Sequence, residues 1–324
     1  MTLRIGLIGT GWFSGVHADN LAAMDGVKLT AVCGTSLEKA DRMARRYGAE
    51  GYGDLDAMLD AGPLNAVYIC VPPMAHGEIE MKLIERGIPF LVEKPLGLDT
   101  SLPEQILARV RETGLLTSVG YHFRYQHNAA RLKEELSNHT TGMVLGRWMD
   151  SMPGVSWWRR QSGSGGQFIE QTTHMVDMLR YTAGEVEEVY ALYGDRVKRS
   201  QVEGVEVADV GTVTLRLASG VVANISNTCV LPEGGGLSQT GLTFYTDRGI
   251  VDWNPQRLQL AAPGVKTEYA EQGSPYVRET EAFLHALRTG DRSRILSSYE
   301  DACRTQAVTC AALASASTGK PVRL

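Results

Sequence analysis

Two clusters in this chain carry residue types able to move a proton and a hydride. Glu93-Lys94-Pro95 closes an apolar run, Ile88-Pro89-Phe90-Leu91-Val92. A lysine delivered by the end of a strand can protonate or hydrogen-bond an oxygen whose carbon is gaining or losing hydride. Pro95 fixes the chain behind it and removes an N–H. The second cluster is Gly165-Gly166-Gln167-Phe168-Ile169-Glu170-Gln171-Thr172-Thr173-His174-Met175-Val176-Asp177. Read as one helix, it places Glu170 and His174 on a shared face, with Asp177 one turn further. Histidine is the side chain whose ordinary pKa lies near neutrality, so His174 is the natural acceptor for a hydroxyl proton. Glu170 can orient the imidazole or bind a neighbouring hydroxyl. The same spacing also suits an amphipathic helix whose Glu–His pair is only a surface contact. Two nearby ligands are too few for a metal centre, and none is expected.

A third feature supplies the hydride carrier. Gly9-Thr10-Gly11-Trp12-Phe13-Ser14 departs from G-x-G-x-x-G only at its last position, where Ser14 stands and Gly15 follows. It follows a strand pattern and opens a helix, so backbone N–H groups and the helix dipole face a pyrophosphate. Gly9 permits the tight turn, Gly11 the close approach, and Ser14 is small enough for helix–sheet packing. The second strand ends in Cys33-Gly34-Thr35-Ser36. NAD-binding chains usually carry an acid here for the ribose 2′-hydroxyl. Gly34 removes repulsion against a 2′-phosphate, Thr35 and Ser36 can donate to one, and Lys39 or Arg42 can supply charge. NADP is therefore favoured over NAD; the plainer reading is a loop with Ser36 as a helix N-cap.

Ser156-Trp157-Trp158-Arg159-Arg160 combines aromatic faces with guanidinium groups, suited to stacking on a sugar or nicotinamide, although loop tryptophans are often core. His76, after Val71-Pro72-Pro73, fits either a cofactor cleft or a helix start. Histidines 17, 122, 127, 139 and 285 carry no strong signal of their own.

The elements that must position these groups change character along the chain. Up to Val119, strand and helix patterns alternate: strands at Leu3–Ile8, Lys28–Cys33, Ala66–Val71, Phe90–Val92 and Leu115–Val119, and helices at Gly15–Met24, Leu37–Tyr47, His76–Arg86 and Leu102–Thr113. That alternation implies βαβ units, a parallel sheet, and ligands outside the strands' carboxyl ends. After Tyr121 come a helix at Asn128–Leu136, a strand near Val144–Asp150, the loop Pro153–Gly166 and a helix over Phe168–Thr182. From Val186 to about Gln272 the pattern is antiparallel strands, with turns at Ala218-Ser219-Gly220 and Asp247-Arg248-Gly249. Helices at Tyr276–Arg288 and Tyr299–Thr318 close the chain.

The 324 residues suffice for two domains, with the boundary expected near Gly120. A net charge of −5 argues against nucleic acid or an anionic membrane as partner. The five cysteines form no C-x-x-C and no zinc-like cluster, so reduced thiols are expected. No secretory leader or membrane-length apolar run is legible, so the expected setting is cytoplasmic.

Taken together, GTGWFSG at 9–15, ICVPPMAH at 69–76, VEKPLGL at 92–98, GYHFRY at 120–125, WWRR at 157–160 and GGQFIEQTTHMVD at 165–177 are specific. Over essentially its whole length the chain resembles the glucose–fructose oxidoreductase / inositol dehydrogenase / rhizopine-catabolism (Gfo/Idh/MocA) family. The resemblance implies an α/β protein with an N-terminal Rossmann domain (1–120). It also implies a C-terminal α+β domain (121–324) with a large open, mostly antiparallel sheet, its C-terminal helix packing back on the first domain. The exposed face of that sheet would form a homodimer or homotetramer.

The resemblance assigns Lys94 and His174 to a catalytic pair, with Glu170 where relatives place an aspartate. Cofactor contacts would fall on Gly9, Thr10, Gly11, Trp12, Phe13, Thr35, Ser36, Cys70, Val71, Pro72, Pro73, His76, Glu93, Lys94, His122, Trp158, Arg159 and Tyr276. Substrate contacts would fall on Lys94, Tyr121, Arg124, Trp157, Glu170, Thr173 and His174. The expected activity is NAD(P)-dependent oxidation or reduction of a secondary alcohol or ketone in a sugar, cyclitol or related polyol. The family's other classes are an NAD-dependent glycoside hydrolase and a non-catalytic NAD(P)-binding regulator. Intact Lys94 and His174 argue against the regulator.

Overall fold

The computed structural model describes residues 2–234 and 236–324. Two compact units emerge. The first comprises the chain up to Gly97, Ser101–His122 and Ser274–Cys303; the second comprises Leu98–Thr100, Phe123–Gly273 and Arg304–Leu324. The second stretch is thus not the unbroken 121–324 expected from sequence. Residues 274–303 join the first unit because Phe283, Leu284 and Ala286 share a core with Leu3, Leu7 and Leu21, while Tyr299 and Ala302 pack with Phe90 and Ile106.

The first unit runs β1 (Leu3–Ile8), α1 (Trp12–Ala22), β2 (Val27–Cys33), α2 (Leu37–Tyr47), β3 (Glu50–Tyr52), α3 (Leu55–Asp60), β4 (Ala66–Ile69), α4 (Glu78–Glu85), β5 (Phe90–Val92), α5 (Ser101–Thr113) and β6 (Thr117–Val119). Its six strands are all parallel, in the order β3-β2-β1-β4-β5-β6. Period-two alternation feeds two cores, one on each face of the sheet. Leu29, Ala66, Tyr68 and Leu91 enter one; Ala31, Val67, Ile69, Phe90 and Val92 enter the other. The strand order reverses direction between β1 and β4, the place where such sheets open a ligand crevice at their carboxyl ends. Short β3 and α3 are additions to the elements read from sequence, and α1 begins earlier than expected, directly after the glycine turn.

The second unit runs α6 (His127–Ser137), β7 (Thr141–Ser151), α7 (Gln161–Ser164), α8 (Gln167–Glu170), α9 (Thr173–Ala183), β8 (Val186–Gly194), α10 (Lys198–Gln201), β9 (Val210–Leu217), β10 (Val222–Leu231), β11 (Gln239–Thr246), β12 (Gly249–Asn254), β13 (Arg257–Ala262) and β14 (Val265–Ala270). Helix α11 (Pro275–Thr289) lies in the first unit; α12 (Tyr299–Thr318) and β15 (Val322–Arg323) end the chain. The nine strands lie in the order β14-β13-β12-β11-β7-β10-β9-β8-β15, and only the β7–β10 pair is parallel. Ala223, Ile225, Val213 and Leu215 point to one face, which packs against α6, α9 and Val308, Ala311 and Ala312 of α12. The opposite face keeps Met143, Leu145, Tyr190, Leu192, Val222, Tyr245 and Ile250 exposed.

One expected element is divided. The helix expected over Phe168–Thr182 is two helices, α8 and α9, separated at Gln171-Thr172. Thr172 N–H donates five residues back to Gln167 O, whereas His174 and Met175 donate only three back, to Gln171 O and Thr172 O. A single α-helical ladder therefore does not carry Glu170 and His174, and the one-face spacing argument does not hold between them.

Candidate active site

In the first unit the glycine turn is built for close approach. Gly9 has φ +113°, and a Cβ there would lie 2.1 Å from Cys70 O, so any other residue would collide with the end of β4. Gly11 is the N-cap of α1; no side chain caps the helix, no acid sits in its first turn, and beyond its neighbours in the chain no atom lies within 4 Å of where its Cβ would be. Uncapped amides behind an open glycine form a cradle that fits a dinucleotide pyrophosphate. Trp12 is exposed and meets Phe13 edge-on; Phe13 in turn meets Tyr276 edge-on at 5.4 Å.

The end of β2 has its own packing reason for glycine. A Cβ at Gly34 would lie 2.8 Å from Thr10 Cγ2, so the usual acid is sterically opposed here. Ser36 Oγ accepts from Lys39 N–H, making it the N-cap of α2, and Lys39 Nζ donates to Thr35 Oγ1 at 3.3 Å. Arg42 instead pairs with Glu38 on the helix surface. Lys39, and not Arg42, is the cation beside Thr35.

Around the lysine, Glu93 is buried and Lys94 half-buried at the end of β5. His17, which carried no sequence signal, lies across from them on α1, with Nε2 2.8 Å from Glu93 Oε1. A Cβ on Gly120 would fall 2.5 Å from that same carboxylate oxygen. His122 stacks on Tyr276 at 4.2 Å. Burial, assisted by the positive charge of Lys94 and by His17, pushes the His122 pKa down to about 3. Burial likewise pushes the Tyr276 hydroxyl up, helped by Glu93 and Glu279.

Other residues expected at the cofactor, and Tyr121 expected at the substrate, follow the carboxyl ends of β4 and β6. His76 Nδ1 hydrogen-bonds Glu80 Oε1, and Glu80 Oε2 accepts from Gly77 N–H, so this imidazole is tied to the start of α4. Val71 and Pro72 are half-buried beyond β4, with Pro73 buried beneath them. Tyr121 lies in the core with Phe90 and Tyr299.

In the second unit the imidazole of His174 is buried between aromatic rings, with Trp148 stacked at 5.8 Å and Phe123 tilted at 5.1 Å. Thr173 is buried beside it at the start of α9. Arg124, expected at the substrate, donates from Nε and Nη2 to the two carboxylate oxygens of Asp177 at 2.7 and 2.6 Å. Thr305 Oγ1 donates to Asp177 Oδ1, and Arg180 Nη1 donates to Thr305 Oγ1. This network holds α9 in place from its buried side. Upstream, Gln167 fixes the turn: its amide donates to Thr228 O and to Gln171 Oε1, and its oxygen accepts from Asn227.

Trp157 and Arg159 are half-buried. Trp158 is buried, in a small core with Met152, Val205, Val207 and Cys229, and its indole Nε1–H donates to Glu170 Oε2 at 2.8 Å. Sequence reasoning missed His17, the Arg124–Asp177 pair and this tryptophan's carboxylate partner. All three depend on contacts between residues remote in sequence or across an irregular loop, so no local spacing encodes them. Among the described residues no three His, Cys, Asp or Glu side chains gather into a metal-binding group, and no helix is long and apolar enough to cross a membrane.

Residues 3–121 match the family model for the oxidoreductase family with an NAD-binding Rossmann fold, and residues 138–252 match the GFO/IDH/MocA C-terminal domain. The chain belongs to the GFO/IDH/MocA oxidoreductase family. A myo-inositol 2-dehydrogenase of Thermotoga maritima is 28% identical over 231 residues, 69% of this chain and 68% of that protein. An inositol 2-dehydrogenase of Rhizobium meliloti is 28% identical over 309 residues, 90% of each chain. The crystal structure of a putative myo-inositol dehydrogenase from Sinorhizobium meliloti superposes with a TM-score of 0.82 at 26% identity, covering 99% of both chains. As a GFO/IDH/MocA member the chain is an NAD(P)-dependent oxidoreductase, and the glycine cradle of its first unit suits that role.

Proposed function

We propose that this protein is a dehydrogenase or reductase interconverting a secondary alcohol and a ketone in a sugar, cyclitol or related polyol. The observation that carries the reading is the uncapped cradle at Gly11, with its open space in front of the α1 amides, together with Lys94 at the carboxyl end of the same sheet. Relatives named as inositol 2-dehydrogenases support the substrate class.

The dinucleotide, when bound, supplies the hydride acceptor or donor. Gly9, Thr10, Gly11, Trp12 and Phe13 would hold its pyrophosphate, with Thr35, Ser36 and Lys39 at the adenosine ribose. NADP is the preferred form in this reading, because Lys39 Nζ donates to Thr35 Oγ1 and Gly34, not an acid, directly follows β2. His174 takes the hydroxyl proton of the substrate, and Lys94 donates a hydrogen bond to the reacting oxygen as negative charge develops on it. Such preorganised donors lower the barrier because they need no reorientation during the reaction. Glu170 and Thr173 orient the substrate's other hydroxyls. The exposed apolar residues on the outer face of the nine-stranded sheet suit a homodimer or homotetramer.

The test is cofactor reduction by the purified protein against pyranoses, cyclitols and sugar acids, with NADP and NAD in parallel. Lys39→Ala should weaken NADP by about tenfold or more and leave NAD within about twofold, the scale of one charge-assisted hydrogen bond. No turnover with any polyol, or equal loss for both dinucleotides, would overturn the respective part.

A further inference from the structure

Glu170 is half-exposed at the last position of α8, and its Oε2 accepts from an indole that cannot move. Trp158 is 1% exposed. Its ring is enclosed by Met152, Val205, Val207 and Cys229. Its backbone is equally fixed: Trp158 O accepts from Ser164 Oγ at 2.7 Å, and the next carbonyl, Arg159 O, accepts from Glu206 N–H at 2.8 Å. Gly163 lies so close that a Cβ there would fall 2.1 Å from Trp157 O. The carboxylate bearer is pinned as well, through the Gln167 bonds to Thr228 and Asn227 one turn earlier.

We infer that Trp158 is a positioning residue for Glu170: its buried indole N–H fixes the carboxylate's direction, and the reach to that indole is what position 170 uses a glutamate for. An aspartate is one methylene shorter and could not keep a 2.8 Å contact with an immobile ring while α8 stays in place. An indole N–H buried in an apolar core also needs an acceptor, so each group satisfies the other. A carboxylate whose Oε2 is fixed in this way accepts substrate hydroxyls from a narrow range of directions, which makes the pair a determinant of specificity. This last step rests on the dehydrogenase reading; the positioning itself does not.

The test begins on the protein without substrate. ¹⁵N-labelled tryptophan gives one indole signal for each of the five tryptophans, and Trp158→Phe identifies the relevant one by its loss. That signal should move in Glu170→Gln, which keeps the side chain's length and removes its charge. Glu170→Asp should move the signal to the position of an indole without a carboxylate partner. These variants keep the buried ring, so the proposal stays testable if Trp158→Phe fails to fold.

With a substrate from the polyol panel, Trp158→Phe and Glu170→Asp should each lower kcat/KM by about tenfold or more, chiefly through KM, and the double variant should be no worse than either alone. An indole signal indifferent to both Glu170→Gln and Glu170→Asp would overturn the positioning. Additive kinetic losses would overturn the specificity role. An indole signal that responds to both Glu170 variants, with no turnover on any polyol, would instead count against the dehydrogenase reading alone.

Discussion

His17 Nε2 lies 2.8 Å from Glu93 Oε1, both side chains are buried, and Glu93 is the residue immediately before Lys94. The contact anchors the backbone that presents the lysine to helix α1, which itself begins at the glycine turn. One pair thus links the cofactor cradle to the lysine within a single unit. Replacing the imidazole by an apolar group leaves a buried carboxylate short of a partner. His17→Leu should lower unfolding stability by about 2–4 kcal/mol in urea titrations, and His17→Gln, which keeps a donor, should recover most of it.

Arg124 and Asp177 form a second buried anchor, under the helix that carries His174. Removing one partner of such a pair costs more than the pair contributes, because the other charge stays buried. Arg124→Ala should therefore cost about 3–5 kcal/mol in the same measurement. A loss below 1 kcal/mol would return Arg124 to the list of substrate contacts.

The two glycines of the turn should separate folding from binding. Gly9→Ala meets Cys70 O and a positive φ, so it should destabilise the first unit as well as weaken dinucleotide. Gly11→Ala meets no atom and has φ −79°, so its stability should stay within about 0.5 kcal/mol of the parent. Its dinucleotide Kd should nevertheless rise by an order of magnitude or more, since the added methyl occupies the open approach to the pyrophosphate site. Calorimetric titration with NADP checks both.

His122 gives the fold a pH dependence of defined sign. Its pKa is held near 3 in the folded protein against an ordinary value of 6.5, first by burial and then by Lys94 and His17. The unfolded chain takes up this proton first as pH falls. Stability from this group is therefore complete above pH 6.5 and is lost toward pH 3, at up to about 1.4 kcal/mol per pH unit. Between pH 6.5 and 5, unfolding free energies of His122→Gln should fall less steeply than those of the parent. Parallel slopes would contradict the assignment.

The alternating strands and helices of the first unit and the antiparallel pattern of the second were legible because apolar periodicity is local. The glycine turn was legible because its strand–turn–helix context is local too. The break at Gln171-Thr172 was not, since it depends on Gln167 reaching β10 through Thr228 and Asn227. Trp158 could be read either as a stacking platform or as core, and only the surrounding Val205, Val207 and Cys229 decide for core. Gly34 was read through its missing carboxylate, whereas the structure adds a steric cause in Thr10. The return of 274–303 to the first unit has no signature in local periodicity, because a helix's apolar face does not name its partner; only the family resemblance points to it, through Tyr276 at the cofactor and a C-terminal helix packing back.

The most direct measurement of the central claim follows a label. A polyol carrying deuterium on the reacting carbinol carbon is incubated with the protein and NADP, and the dinucleotide is recovered for mass spectrometry. The expected result is one deuterium on the reduced cofactor, with the rate lowered by at least about a hundredfold in His174→Ala, the contribution typical of a positioned general base. Cofactor that stays unlabelled while the substrate is consumed, or a rate unchanged in His174→Ala, would contradict it.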